Sequence, residues 1–274
     1  MTKLYDRPEI CRHCFYPQPG RQLDRSDLGE PVVLALADGT RIGGFWCHPS
    51  PDAPTLLYLH GNGERIADQL ETWPSWAQRA GANIFFVDYP GYATSAGSPT
   101  LSGCCQAAQV ALDFLLARDG DQVPAIIVVG RSIGSLFALD VVARNPGPRL
   151  SGLALESGIA DLCQRLAVWV PHHQLAIDRP ALEAAVAADF DQRAKLGRVE
   201  VPVLVLHTER DAIVPIWHGE QFAAWAGSHL LRFVRFEAGD HNTIQLFNEG
   251  TYVAALADLV NAARGRASGC AARR

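Results

Sequence analysis

The sequence predicts an α/β fold, a mostly parallel sheet covered by helices on both faces. Three observations predict it. Short apolar runs such as "AIIVVG" (125–130), "LSGLALES" (150–157) and "VPVLVLH" (201–207) alternate with segments of helical period. Those runs are apolar almost throughout, as strands buried on both faces are. An Asp-Gly pair, Asp38-Gly39, stands between two further apolar runs and marks a hairpin, which adds antiparallel strands at one edge.

The elements follow in order. Residues 1–30 contain Pro, Gly and charges without a period, and are expected to form an irregular N-terminal segment. "EPVVLALADGTRIGGFWCHP" (30–49) gives the two hairpin strands. "TLLYLHG" (55–61) is a strand ending at a glycine. "ERIADQLETWPSWAQRAG" (64–81) reads as a helix that Pro74 breaks or kinks. A strand, "NIFFV" (83–87), and a helix within 102–120 come next. "AIIVVG" is a strand, and "IGSLFALDVVARNP" (133–146) is a helix that stops before Pro146. After the strand at 150–157, residues 158–198 hold helix-like pieces and no strand, and are expected to form a small helical cap inserted over the sheet. The strand at 201–207, a helix at 216–227, a strand from 229 and a closing helix from 243 complete a domain spanning 31–263. Residues 264–274 are expected to be a polar tail. No repeat or linker separates a second domain.

Bulk properties narrow the function. The 274 residues are 48% hydrophobic and 19% charged, ordinary globular composition. A net charge of −5, without a basic block, argues against nucleic acid as a partner. No apolar run approaches 18 residues, so stable membrane insertion is not expected. The N-terminus lacks the apolar core and cleavage site of a secretory signal. Seven cysteines lie scattered among apolar segments, which reads as reduced thiols in a cytoplasmic protein. "CRHC" offers Cys11, His13 and Cys14, but a lone C-x-x-C without a second pair is poor evidence for a metal site.

The chemistry centres on "GRSIG" (130–134). Ser132 stands in G-x-S-x-G, after a strand and before a helix, where a hydroxyl is lifted above the sheet edge. A neutral serine needs an oriented base. Of nine histidines, His241 is the one that lies just past the last predicted strand, at the edge where strand-end loops gather. His207 falls within an apolar strand end and is expected to be packed. His172 and His173 lie in the insertion and are expected at its surface or lining a pocket. The base in turn needs an acid. Asp211 is the first choice, with Glu209 and Glu156 as alternatives; the bland fate of each is a turn carboxylate or a helix cap. Backbone N–H groups for an oxyanion are expected from Ile133 and from Asn62 in the glycine-rich "HGNGE". Tyr92, Trp169, Trp217 and His218 are candidates to contact substrate, against ordinary packing.

The ordered set "LHGNGE", "DYPGYATSAGSPT", "GRSIGS", "HTERDAIVPIWHG" and "GDHNTI" resembles the α/β-hydrolase superfamily. Within it, the set is similar to the branch of serine aminopeptidase-like enzymes and animal protein depalmitoylases. The likeness spans roughly residues 30–262. It implies Ser132 as nucleophile, His241 as base, Asp211 as acid, and Asn62 and Ile133 as oxyanion donors. Asp88, Gly91 and Ser95 match a motif that shapes the loop beside the site. Two positions depart from the pattern: Asp240 precedes the histidine and Thr208 follows His207, where glycine is frequent. A carboxylate at 240 would favour imidazolium if it approached the ring. The resemblance implies hydrolysis of an ester or thioester on a small-molecule or acylated substrate, with no cofactor. An amidase or peptidase with the same triad is the alternative, and a non-catalytic binding protein on this fold is the other.

Overall fold

The computed structural model describes residues 2–20, 25–171 and 177–271. The expected cap residues His172 and His173 lie outside the described residues. After a single 3-10 turn at Leu4–Asp6 comes α1 (Pro8–Cys14), followed by the hairpin β1 (Glu30–Ala35) and β2 (Arg41–Cys47). Next are β3 (Thr55–Leu59), α2 (Ile66–Gln69), α3 (Trp73–Arg79) and β4 (Asn83–Val87). The middle of the chain forms α4 (Leu101–Leu116), β5 (Ile126–Arg131), α5 (Gly134–Arg144) and β6 (Leu150–Glu156). The insertion carries α6 (Leu162–Trp169), α7 (Arg179–Phe190) and α8 (Gln192–Leu196). The chain closes with β7 (Val203–Thr208), α9 (Trp217–Ala226), β8 (Leu230–Phe236), α10 (Ile244–Phe247) and α11 (Glu249–Ala271).

The strands form one sheet in the order β1-β2-β4-β3-β5-β6-β7-β8. β1 pairs antiparallel with β2, and β2 with β4; every later pairing is parallel. β3, β4, β5, β6 and β7 are buried along their whole length, which is why they read as unbroken apolar runs. Apolar cores lie on both faces. One contains Leu57, Phe85, Val128, Leu136 and Leu155, the other Tyr58, Phe86, Val129, Leu204 and Leu256. Neighbouring residues of one strand thus feed opposite cores, as the pleat requires. After β3 the chain steps to one side to make β4, then returns to place β5 on the other flank of β3. The loops after β3 and β5 leave in opposite directions there, the position at which sheets of this topology build their ligand sites.

The structure refines three expectations. Part of the N-terminal segment is helical: Pro8 opens α1, a position where its missing N–H costs nothing. Tyr5, Ile10, Cys11, Cys14 and Phe15 are buried in the main core. Seven residues are too few to show a period, so this helix rests on its packing rather than on its pattern. At 64–81 the expected break gives two short helices, with Pro74 in the first turn of α3. The closing helix is likewise two helices, divided at Asn248, and α11 runs on to Ala271 instead of releasing a tail at 264. Arg264 donates to the carbonyl of Gly81 there, and the alanines around it favour helix.

Candidate active site

Ser132 sits between β5 and α5 with φ +52°, left-handed for a residue that has a side chain. The flanking glycines explain how the chain makes that turn. A Cβ on Gly134 would collide with the carbonyl oxygen of Leu59, and one on Gly130 would stand 2.6 Å from the Cβ of Ala138. Helix α5 can therefore pass close to β3 only with glycine at 134. Among the described residues, the other non-glycine residues with positive φ are Ser157, just past β6, and Ala93, in the loop after β4. Strained backbone is thus gathered at the carboxyl edge of the sheet.

His241 reaches Ser132 from the loop after β8. Its Nε2 lies 2.9 Å from Ser132 Oγ, and its Nδ1 lies 2.7 Å from Asp211 Oδ2. With a carboxylate at Nδ1, that nitrogen carries the proton and Nε2 is free to accept from the hydroxyl. Asp211 is held from the other side by the backbone N–H groups of Ile213 and Val214, both donating to Oδ1. Burial raises its carboxyl, but hydrogen bonds to His207 and His241, with the charge of His241, outweigh burial and hold it well below the usual range. His207 is packed, as its strand position implies. Its Nε2 donates to the carbonyl of Val214 at 2.7 Å and lies 3.4 Å from Asp211 Oδ2. It braces the acid's loop, a role the sequence did not reveal.

The alternative acids are occupied elsewhere. Glu209 is exposed and pairs with Arg235 at 3.3 Å. Glu156 is fully buried but touches no histidine ring. Its Oε1 takes Arg131 Nε at 3.1 Å, and its Oε2 takes Tyr252 Oη at 2.5 Å and Gln245 Nε2 at 2.7 Å. Arg131 also pairs with Glu64 and donates to the carbonyl of His241 at 2.7 Å. Asp240 turns away from the ring: its Oδ1 accepts from the N–H groups of Asn242 and Thr243 and from Thr243 Oγ1. Those bonds, the Thr243 hydroxyl first, hold its carboxyl low and spend it on the turn.

The N–H groups of Asn62 and Ile133 have no protein acceptor among the described residues. Ile133 caps α5, one residue after Ser132. Around Asn62 the side-chain bonds are dense. Its Oδ1 accepts from Tyr16 N at 2.9 Å and from Tyr92 Oη at 2.8 Å, and its Nδ2 donates to the carbonyl of Cys14 at 2.8 Å. Tyr92 is fully buried, and its hydroxyl bond to Asn62 positions this loop. Below the loop, His60 Nδ1 donates to the carbonyl of Gly61, and Nε2 faces Asp88 Oδ1 at 3.6 Å. Burial pushes His60 down to about 4 and Asp88 up to about 7. Ser95 joins the Asp88 carbonyl to the N–H of Gly43, and Gly91 takes φ +82°. These three residues of the "DYPGYATS" motif shape the loop.

Trp217 stacks on His218 with ring centroids 3.6 Å apart. His218 is fully buried, and its Nδ1 accepts from Ala160 N at 3.2 Å. Trp169 is half-buried at the end of α6, with the Arg165 guanidinium 5.2 Å from its ring centre. Cys11 and Cys14 are buried free thiols, both pushed up by burial, Cys11 to about 12. Among the described residues no cluster of His, Cys, Asp and Glu could hold a metal ion.

A sheet of this order, with a serine on a strained strand-to-helix turn, defines the class in which hydrolases are built on a doubly covered sheet. The chain has the α/β-hydrolase fold and resembles proteins of that superfamily. A family profile described as "Chlamydia CHLPS protein (DUF818)" matches residues 52–146. The chain is 28% identical over 222 residues to the α/β hydrolase domain-containing protein WAV2 of Arabidopsis thaliana, covering 77% of this chain and 72% of that one. It is 30% identical over 194 residues to the protein bem46 of Schizosaccharomyces pombe, covering 70% of this chain and 63% of bem46. Among solved structures, the Pyrococcus furiosus esterase Pf2001 superposes with a TM-score of 0.70 at 15% identity, over 90% of this chain and 95% of that one. The WAV2 match supports a hydrolase, and the Pf2001 likeness shows the fold.

Proposed function

We propose that this protein is a serine hydrolase that cleaves a carboxylic ester or thioester through an acyl-enzyme. One observation carries the reading: the unbroken chain of hydrogen bonds from Asp211 through His241 to Ser132, at 2.7 and 2.9 Å. His241 Nε2 takes the hydroxyl proton as Ser132 Oγ attacks the carbonyl carbon. Asp211, already ionised, stabilises the imidazolium. The N–H groups of Asn62 and Ile133 receive the developing oxyanion, and being unpartnered they give up no protein bond to do so. His241 then protonates the leaving alcohol or thiol, and the acyl group stays on Ser132. A water enters, His241 takes its proton, and the acid is released as the serine is restored.

The test is Ser132→Ala, assayed on 4-nitrophenyl esters of increasing chain length. Turnover should fall by roughly 10⁴-fold or more, with an unchanged thermal melt. A fluorophosphonate probe should label the natural protein and not the variant. Turnover near the natural rate in folded Ser132→Ala would refute the mechanism. A matched anilide separates esterase from amidase action.

A further inference from the structure

Helix α6 places a cation where its period calls for an apolar residue. Leu162, Arg165 and Leu166 make up its buried stripe, and Arg165 is only 8% exposed. A buried guanidinium is ordinarily paired, because its desolvation is costly and its five N–H donors need acceptors. Here Nε has no hydrogen-bond partner, and the side chain forms no ion pair among the described residues. The face of Trp169 meets the charge but takes no in-plane N–H. The acid whose charge reaches Arg165 is Asp211. Its oxygens are already committed to His241, Ile213 and Val214.

A second buried donor lies within reach of the same charges. His218 Nδ1 accepts the N–H of Ala160, so the ring's proton sits on Nε2. Nε2 has no partner. The ring is kept neutral: burial first, then the charges of His207 and Arg165, push it down to about 3. Two orphaned donors, one on the insertion and one on the helix after the acid's loop, thus share the electrostatic surroundings of Asp211. Native proteins rarely leave such groups unsatisfied without a use for them.

We propose that Arg165 and His218 bind an anionic group of the substrate, a carboxylate or a phosphate. The hydrolase therefore selects esters that carry a negative charge beside the scissile bond. A guanidinium fork fits either oxyanion in a two-pronged contact, and the imidazole N–H adds a third donor. This rests on Ser132 being the nucleophile; His218 joins its turn through Ala160, because the N–H of the preceding Ile159 bonds Ser135 Oγ at 2.9 Å and that hydroxyl bonds the Ser132 carbonyl at 2.6 Å.

The test compares 4-nitrophenyl hemiglutarate with 4-nitrophenyl valerate, which match in chain length and differ in the terminal carboxylate. The natural protein should favour the anionic ester in kcat/KM. Arg165→Met should lower the anionic-to-neutral ratio at least tenfold, and His218→Phe should lower it several-fold. Arg165→Lys keeps the charge but not the fork and should fall between, which also covers a Met variant that fails to fold. Binding is read apart from turnover. Calorimetric titration of Ser132→Ala with glutarate or phenyl phosphate should show an affinity that Arg165→Met reduces at least tenfold, and the tighter of the two anions identifies the group. Without ligand, Arg165→Met should melt no lower than the natural protein, because it removes an unpaired buried charge. A lower melt with an unchanged ester ratio would make Arg165 a structural residue and overturn the proposal. So would binding of neither anion. Arg165-dependent anion binding by a protein that hydrolyses neither ester would instead remove the Ser132 mechanism and leave the anion site standing.

Discussion

At the scale of single residues, the three candidate acids differ in what their oxygens touch. Asp211 Oδ2 meets the histidine ring, whereas Glu156 meets Arg131 and Glu209 meets Arg235. Asp211→Asn should therefore lower kcat by roughly 10³–10⁴-fold, because the amide cannot stabilise an imidazolium. Glu209→Gln should leave the rate within about twofold, as loss of an exposed pair does. Parallel kcat/KM measurements on one neutral ester check both, and comparable losses in the two variants would move the acid off Asp211. The pH profile of Asp240→Gly should superimpose on that of the natural protein, since that carboxylate is tied into its own turn. Much of this was legible in the chain. Glycines on both sides of Ser132, and Asp211 and His241 each just past a strand, are local signals. The bracing of Asp211 by His207 was not legible, because it depends on which ring nitrogen finds the carbonyl of Val214, a fact of packing across a loop.

At the scale of elements, the join between β4 and α2 carries a buried carboxyl. Asp88 ends the strand, its Oδ1 accepts the N–H of Ile66 at the start of α2, and His60 Nε2 faces it. Burial raises Asp88 from the ordinary aspartate value of 3.8 to about 7. The folded protein thus holds a proton that the unfolded chain has already released. Stability from this group is full below about pH 4, is lost as pH rises toward 7, and is flat above 7. His60, lowered to about 4, has the opposite slope below neutrality, but it is present with or without Asp88. Asp88→Asn should remove the Asp88 slope, so its Tm relative to the natural protein should climb between pH 5 and 7 and then level off. At this chain length each ~1 kcal/mol corresponds to roughly 2–4 °C. A Tm difference constant from pH 5 to 8 would show that Asp88 stays ionised. Strands were the elements that sequence read best, since burial on both faces writes an apolar run. Helix α1 was missed because its seven residues are held by packing of Ile10, Cys11 and Cys14 into the main core rather than by a pattern of their own. Pro74 was recognised as a break, but the alternative use of proline, opening a second helix, depends on where the first one ends.

At the scale of the whole molecule, the site exists because separate strand ends are held in one plane, and a buried ionic network holds them. Arg131 ends β5, Glu156 ends β6, Glu64 follows β3 and the His241 carbonyl follows β8; Arg131 touches the other three. Tyr252 and Gln245 extend the network into α11 and α10 through Glu156. No sequence motif announces it, because its members lie far apart in the chain and each alone resembles an ordinary charged residue. Removing one partner of such a network leaves a charge in a place that water cannot reach. Arg131→Met should therefore cost ~3–5 kcal/mol of stability, with Glu156 and Glu64 left uncompensated. Adding Glu156→Gln removes one of those stranded charges. The double variant should then be more stable than the two single losses predict, with a coupling of ~1 kcal/mol or more. Activity should not return with it. The tether from Arg131 to the carbonyl of His241 is still missing, and the histidine loop is free to drift from Ser132. Urea unfolding of the four proteins gives the coupling, and kcat/KM on a neutral ester gives the rate. Additive stabilities would mean the charges act singly. Recovery of the rate together with stability would mean the Arg131 tether does not set the position of His241.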